Sequence, residues 1–336
     1  GGLDMYKLKT IDKLWYTDTS FTPESIHINY YDVWLGRSFL LNKDKTNGRR
    51  RNNLVISTRY YNMFYLNNPE TSKKYLHEYH NRKMWIGNIG FASRAFYRSN
   101  LVYSYGRTED IPTGWMINLR YGKEFSEFCQ RDYTGITFKK GNYVHNFGYL
   151  NSTYEYGTFL QGIDDLQQGV SSLRINYFTN LFIVGSYKLR HFVRLNYVKG
   201  INRFEPERIN INDKNGIRGL IENSIYGEKK LAINLESVAF TPYYLYGFRF
   251  VIFSFADLAF VGNEKDLLSE MDAWSGIGIG LRIRNERLVF PTFQFRFAYY
   301  PNISGLKAED YFRFSGEKKL NPGNFNLQAP EIINYK

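Results

Sequence analysis

The sequence predicts an all-β chain folded as a transmembrane antiparallel β-barrel of about 16 strands, and three observations point there. Aromatic residues make up 18% of the 336 residues, with 29 Tyr, 27 Phe and 5 Trp against 9 Pro. That composition favours strands over helices and excludes disorder. Segments of about ten residues alternate apolar and polar side chains at a period of two. Mean hydropathy is −0.45, and the most apolar stretch, 248–262, is interrupted by Arg249, Ser254 and Asp257. A bundle of membrane-spanning helices, each needing roughly 18 or more apolar residues, is thereby excluded.

Taken in order, the alternating segments predict strands near 26–40, 54–65, 84–96, 100–106, 114–122, 133–140, 143–150 and 153–160, then near 171–179, 183–197, 229–240, 244–261, 274–285, 291–300 and 309–318. The stretch before residue 26 adds one more candidate. No composition break or Pro-rich linker divides the chain. The expected organisation is an N-terminal connection to an upstream region over 1–24, a barrel over 25–318 and a C-terminal extension over 319–336. The chain opens Gly-Gly-Leu-Asp without an apolar leader, which reads as a processed or excised piece.

Each strand has one apolar and one polar face. In 184–197, Tyr187, Leu189, Val193, Leu195 and Tyr197 oppose Lys188, Arg190, Arg194 and Asn196. In 274–284, Ile277, Ile279, Leu281 and Ile283 oppose Gly276, Gly278, Gly280, Arg282 and Arg284; in 292–300, Phe293, Phe295, Phe297 and Tyr299 oppose Gln294 and Arg296. Alternation alone fits two environments. A soluble sandwich packs its apolar face inward, whereas a membrane barrel turns that face to lipid and its charged face to a wet lumen. Strand length favours the barrel, since sandwich strands commonly run about five or six residues. So do the Tyr and Trp near strand ends (Trp34, Trp115, Tyr121, Tyr187, Tyr197), which suit the aromatic girdles of a lipid–water boundary.

A net charge of +12 (44 Lys and Arg against 32 Asp and Glu) suits an anionic partner without choosing among nucleic acid, lipid and cell surface. The single Cys129 forbids an internal disulfide and argues against a thiolate metal cluster. His77-Glu78-Tyr79-His80 falls one residue short of the His-Glu-x-x-His zinc motif and lies in a polar connection, so a solvated loop is expected and no metal. Arg49, Arg50 and Arg51, with Lys43 and Lys45, form a basic run without interleaved aromatic platforms; it suits lipid phosphates rather than nucleic acid. No Gly-x-Ser-x-Gly elbow or phosphate loop appears, and no catalytic residue or cofactor is expected.

One ordered constellation remains. Gly216-Ile-Arg-Gly-Leu220 lies in a long connection; the next strand sets Asn234 and Glu236 on one face, and the strand after it carries Phe255-Ala-Asp257-Leu-Ala259. Then come Ser275-Gly-Ile-Gly-Ile-Gly-Leu-Arg282 and Phe293-Gln-Phe-Arg-Phe-Ala-Tyr-Tyr-Pro301. This order resembles the barrel of the bacterial surface antigen superfamily, whose members include the assembly factors BamA and TamA and the two-partner secretion transporters. The resemblance covers about 210–318 and departs from the family at Leu220, at Ala259 and in the extension after the strand at 310–316.

What the resemblance implies is a loop inserted in the lumen, with Arg218 and Gly219 as its motif, Asp257 as the wall carboxylate and Glu236 as a second acceptor. It also implies a Gram-negative outer-membrane protein that inserts or translocates protein substrates. Its partners would be outer-membrane lipids and lipopolysaccharide, unfolded or partly folded proteins and accessory lipoproteins, with no nucleic acid. Lys188, Arg190, Arg194, Arg282, Arg284 and Arg296 would line the lumen, as an anion-selective surface or as counter-charges to Glu236 and Asp257. The alternatives are a passive pore, a membrane anchor for an upstream domain, or a barrel-embedded lipid hydrolase. The aromatic, Asn-rich style suggests a Bacteroidetes-type source.

Overall fold

The computed structural model describes residues 2–10, 26–42, 50–67, 71–74, 77–102, 108–162, 165–204, 207–212, 216–220, 225–285, 292–303, 306, 311–316, 325 and 329–336. Its strands are β1 (Gly2–Thr10), β2 (Ile26–Leu40), β3 (Arg51–Asn67), β4 (Arg82–Asn100), β5 (Thr108–Ser126), β6 (Gln130–Val144), β7 (Gly148–Gln161) and β8 (Asp165–Thr179). They continue with β9 (Phe182–Val184), β10 (Tyr187–Ile201), β11 (Ile209–Asn210), β12 (Tyr226–Gly227), β13 (Lys229–Leu245), β14 (Phe248–Gly262), β15 (Asp272–Asn285), β16 (Phe293–Tyr299) and β17 (Phe312–Gly316). Single 3₁₀ turns occupy His77–Tyr79 and Leu268–Glu270. Among the described residues no helix is long and apolar enough to cross a membrane.

The architecture is a meander: one 15-stranded sheet in which successive long strands pair antiparallel from β1 to β17, with β9 flanking β10 and β11–β12 forming a separate ribbon. The sheet curls around a filled interior, because side chains meet across it. Arg59 on β3 reaches Pro330 and Glu331, Tyr133 on β6 meets Ile333, and His77 before β4 meets Arg131 on β6. β1 and β17 are its two edges, with no pairing between them among the described residues.

Alternation sorts the faces as the pleat requires. Outward residues stay exposed: Leu35 (69%), Ile279 (62%) and Phe297 (56%) are typical. Across β15 to β17, Ile277 faces Tyr299, Ile279 faces Phe297, and Phe295 faces Phe314. At on the order of 100 Å² each, these rings and branched chains exceed the ~300–600 Å² patch a soluble monomer commonly exposes. Such a face suits hydrocarbon. The strands are also long enough, most having 14 to 19 residues, against the roughly 9–11 that cross a bilayer.

Residues 2–10, within the stretch expected as a connection and also offered as one further candidate strand, pair with 26–34 as β1. Three expectations are corrected. The strand expected at 100–106 is absent over Leu101 and Val102, where Leu101 takes φ 55° as β4 ends; 103–107 lie outside the described residues. The strand expected at 143–150 is broken by a turn, with Asn146 at φ 63° and Phe147 N–H donating to Val144 C=O at 3.2 Å. The unbroken aromatic run Tyr143-Val-His-Asn-Phe-Gly-Tyr149 hides it. Finally, Tyr246 and Gly247 form the β13–β14 turn at φ 49° and 89°, so Tyr244 and Leu245 close β13 rather than open β14.

Candidate functional site

Between β10 and β13 the connection bends back inside the sheet. Ile217 N–H donates to Ile211 C=O at 3.0 Å, and Ile211, Ile217 and Leu220 are fully buried in the main core. These apolar anchors hold the segment against the wall, and Arg218 between them has only one direction left, toward β13 and β14.

There the guanidinium is bound on three sides. Nε donates to both Asp257 oxygens (3.1 and 3.0 Å), Nη2 to Asp257 Oδ1 and to Leu235 C=O (both 2.7 Å), and Nη1 pairs with Glu236. The backbone N–H of Arg218 also donates to Asp257 Oδ2 at 2.9 Å. Asp257 is 1% exposed, so this is a charge-assisted, bidentate pair in a poorly solvated place, the geometry in which Arg serves better than Lys. Asn234 donates to both Asp257 and Gly216 C=O at 2.8 Å, tying loop to wall a second time. Glu236 is shared: Arg282 on β15 donates to its other oxygen at 2.9 Å and to Gln294 at 2.9 Å.

The glycines and rings around the pair explain the strand motifs. The Arg218 guanidinium lies 4.5 Å from the Phe255 ring, and that of Arg282 lies 4.1 Å from the Phe253 ring. Those rings spread over β15, where a Cβ on Gly278 would meet the Phe255 ring at 2.5 Å and the Phe297 carbonyl of β16, and one on Gly280 would meet the Phe253 ring and the Phe295 carbonyl of β16. The inward positions of Gly-Ile-Gly-Ile-Gly are therefore vacated for the aromatic seats of two arginines, while the outward isoleucines keep the apolar face. Gly219 sits at φ 89°, a conformation open to Gly and strained for other residues. Tyr300 closes the site by donating to Arg218 C=O at 2.7 Å.

The sequence-level set divides in the structure. Arg218, Gly219, Asp257 and Glu236 come together, joined by Arg282; Arg296 lies beside Gly219 and Phe255. Arg190 is buried against Phe178 at 5.1 Å, and Arg194 and Arg284 are half-buried. Lys188 is exposed near the start of β10, four positions from Phe192, the partner of Glu236. The six cations thus range from buried Arg190, Arg282 and Arg296 to exposed Lys188. Asn234, Tyr300 and Gln294 are the partners the sequence reading did not assign. Only Asn234's shared face with Glu236 hinted at one of them.

A second polar node was missed. His77 and His80, expected in a solvated loop, are 7% and 1% exposed. Arg131 donates to Glu124 Oε1, Gln168 Oε1 (2.8 Å) and Gln167 Oε1 (3.2 Å), and its Nη2 is 2.9 Å from His77 Nε2. Burial pulls the His77 pKa below its ordinary value, against an upward pull from Glu124. Arg131 fills an aromatic slot between Phe159 and Phe204, so the ring lies in a barrel-filling network, not in loop solvent. Among the described residues no cluster of His, Cys, Asp and Glu could hold a metal. Of the basic run, Lys43, Lys45 and Arg49 lie outside the described residues, while Arg50 and Arg51 are exposed where β3 begins. Arg37, Arg51 and Arg94 line a cavity of about 370 Å³ on β2, β3 and β4, closed on one side by Phe325.

No family model matches the chain, and no curated protein matches it in sequence. Among solved structures, BamA from Haemophilus ducreyi lacking POTRA domains 1–3 aligns at 14% identity and a TM-score of 0.46, covering 86% of this chain. The chain spans 63% of the length of that one. Nothing in the comparison supports a Bacteroidetes-type source.

Proposed function

We propose that the chain is the barrel portion of a Gram-negative outer-membrane protein that inserts or translocates protein substrates. It works without catalytic residues, nucleotide or cofactor. The observation that carries this reading is the loop lock: Arg218 folded inward onto Asp257 and Glu236, in the order of motifs that resembles the bacterial surface antigen superfamily. The outward apolar face supports residence in the membrane, with lipids and lipopolysaccharide as surroundings and lipoproteins as accessory partners.

The mechanism follows from edges. Among the described residues β17 pairs with β16 at five positions, Phe293–Gly316 to Phe297–Phe312, and it forms one edge of the sheet. Unsatisfied backbone groups in hydrocarbon are costly, and a partly folded substrate strand could pair with such an edge. The lock's part is to keep the wall beside that edge rigid, since β13, β14 and β15 are stapled together through Glu236, Asp257 and Arg282. The test is folding of a urea-unfolded outer-membrane barrel into liposomes containing this chain. Protease-resistant product should form faster than in empty liposomes, and Arg218→Ala should remove the gain. Equal rates with and without the chain would overturn the reading. The arginine-lined cavity favours one alternative, a passive pore, for which anion conductance would appear without any gain in substrate folding.

A further inference from the structure

The described part of the C-terminal extension, Phe325 and 329–336, lies inside the sheet rather than beyond it. Phe325 is 3% exposed and packs with Ala92 and Met116; it also lies beside Gly141, near the β6–β7 turn. Pro330 C=O accepts from Arg59 on β3 at 3.2 Å, with Glu331 pairing to the same guanidinium at 3.2 Å. Ile332 packs with Met84, Ile86, Tyr133 and Phe159. Ile333 donates its N–H to Tyr133 Oη at 2.8 Å and packs with Val170, Val198 and Ile209. Tyr335 donates to Glu228 C=O at 2.8 Å, and the Arg203 guanidinium lies 4.3 Å from its ring.

Those contacts run from one mouth to the other. Gly141 is near the end of β6, on the side of the short turns, whereas Gly200 and Glu228 flank the 202–228 connection at the opposite end. Phe325 to Tyr335 is ten residue steps, a reach of at most about 36 Å, enough to span the ~30 Å hydrocarbon thickness. The wall shares its space with this passage. A Cβ on Gly141 would stand 2.7 Å from the Tyr149 hydroxyl and 3.1 Å from Phe325, one on Gly157 would meet the Tyr133 hydroxyl and lie 3.1 Å from Ile333, and one on Gly200 would stand 2.6 Å from Arg203 and 2.8 Å from the Tyr335 hydroxyl. At three positions without side chains, on β6, β7 and β10, wall side chains and tail anchors thus pack into the same space.

We infer that the C-terminal segment carrying Phe325 and residues 329–336 is a built-in lumen plug: a tethered segment that fills the barrel and holds the pore closed until it is displaced. Its anchors are apolar rings and branched chains plus two guanidinium contacts, each modest by itself, so the segment can leave as a unit without unfolding the strands around it. This inference does not depend on the proposed substrate, and substrate-folding activity can fail while the plug stands.

The experiment is single-channel recording in planar bilayers. Full-length chain should conduct in small or rare events. A chain ending at residue 324 should show a several-fold larger, long-lived conductance, reduced again by synthetic peptide 325–336. In the full-length chain, Gly200→Val should shift recordings toward the open level by crowding Tyr335; this variant decides the matter if the shortened chain does not fold. Conductance equal in full-length and shortened chains, or unchanged by both Gly200→Val and added peptide, would overturn the plug.

Discussion

The Arg218 guanidinium makes contacts that no other residue type could reproduce: three hydrogen bonds to one carboxylate, one to another, one to a backbone carbonyl, and a ring beneath. Its replacement by Ala leaves Asp257 buried without its cation, and a broken buried pair costs about 3–5 kcal/mol. We expect Arg218→Ala to lower the urea midpoint of the detergent-folded barrel by that equivalent, and Arg218→Lys to recover little, because an ammonium cannot fork between Asp257 and Glu236. An Arg218→Ala barrel as resistant to urea as the parent would remove the lock. The acidic partner was legible through the resemblance to the surface antigen barrels, which places the wall carboxylate of the Phe-x-Asp motif at Asp257. Tyr300 was not, since nothing in the sequence around it, just past the end of β16, says which carbonyl a hydroxyl will find across 82 residues.

At the scale of elements, β14 and β15 act as one unit in which rings from one strand occupy the missing side chains of the other. Gly278→Val would drive a branched chain into the Phe255 ring, and overpacking of this kind costs about 1–3 kcal/mol. The expected result is a lower unfolding midpoint together with faster proteolysis of the 202–228 connection; unchanged cleavage would separate the ring from the lock. The turn at His77–Tyr79 has its own control. With its pKa below the unfolded value of about 6.5, His77 is neutral in the fold at pH 7. As pH falls through about 6.5 the unfolded chain takes up a proton that the folded chain refuses, so stability falls with acidification. The charged and titratable groups facing the ring are Glu124, Arg82, Arg131 and His80, whose ring lies 4.8 Å away. Hydrogen exchange over 77–81 should rise below that pH in the parent, and His77→Gln should flatten the response.

For the whole molecule, the deciding question is what the outer face touches. Ile279 lies mid-strand on β15, 62% exposed. In a water-facing sheet Ile279→Lys is nearly neutral, whereas at a bilayer midplane it costs about 2–4 kcal/mol. We expect the loss to appear in lipid vesicles as a reduced folded fraction on urea titration, while the inward-facing Arg194→Lys stays close to the parent. A lipid-folded Ile279→Lys barrel as stable as the parent would overturn the membrane assignment.

Period-two alternation settles which side of each strand is apolar and, with the ordered Arg-Gly and Phe-x-Asp motifs, which side chains are candidates for pairing; both are local properties that a chain carries before it folds. Strand junctions such as 145–147 and 246–247 were misread because the aromatic pattern runs through them and only positive φ marks the turn. The burial of His77, the bond from Tyr300 to Arg218 and the course of residues 329–336 through the lumen came from the tertiary structure alone. They depend on the distance between strands far apart in sequence, set by how the sheet curls, which no window of residues encodes.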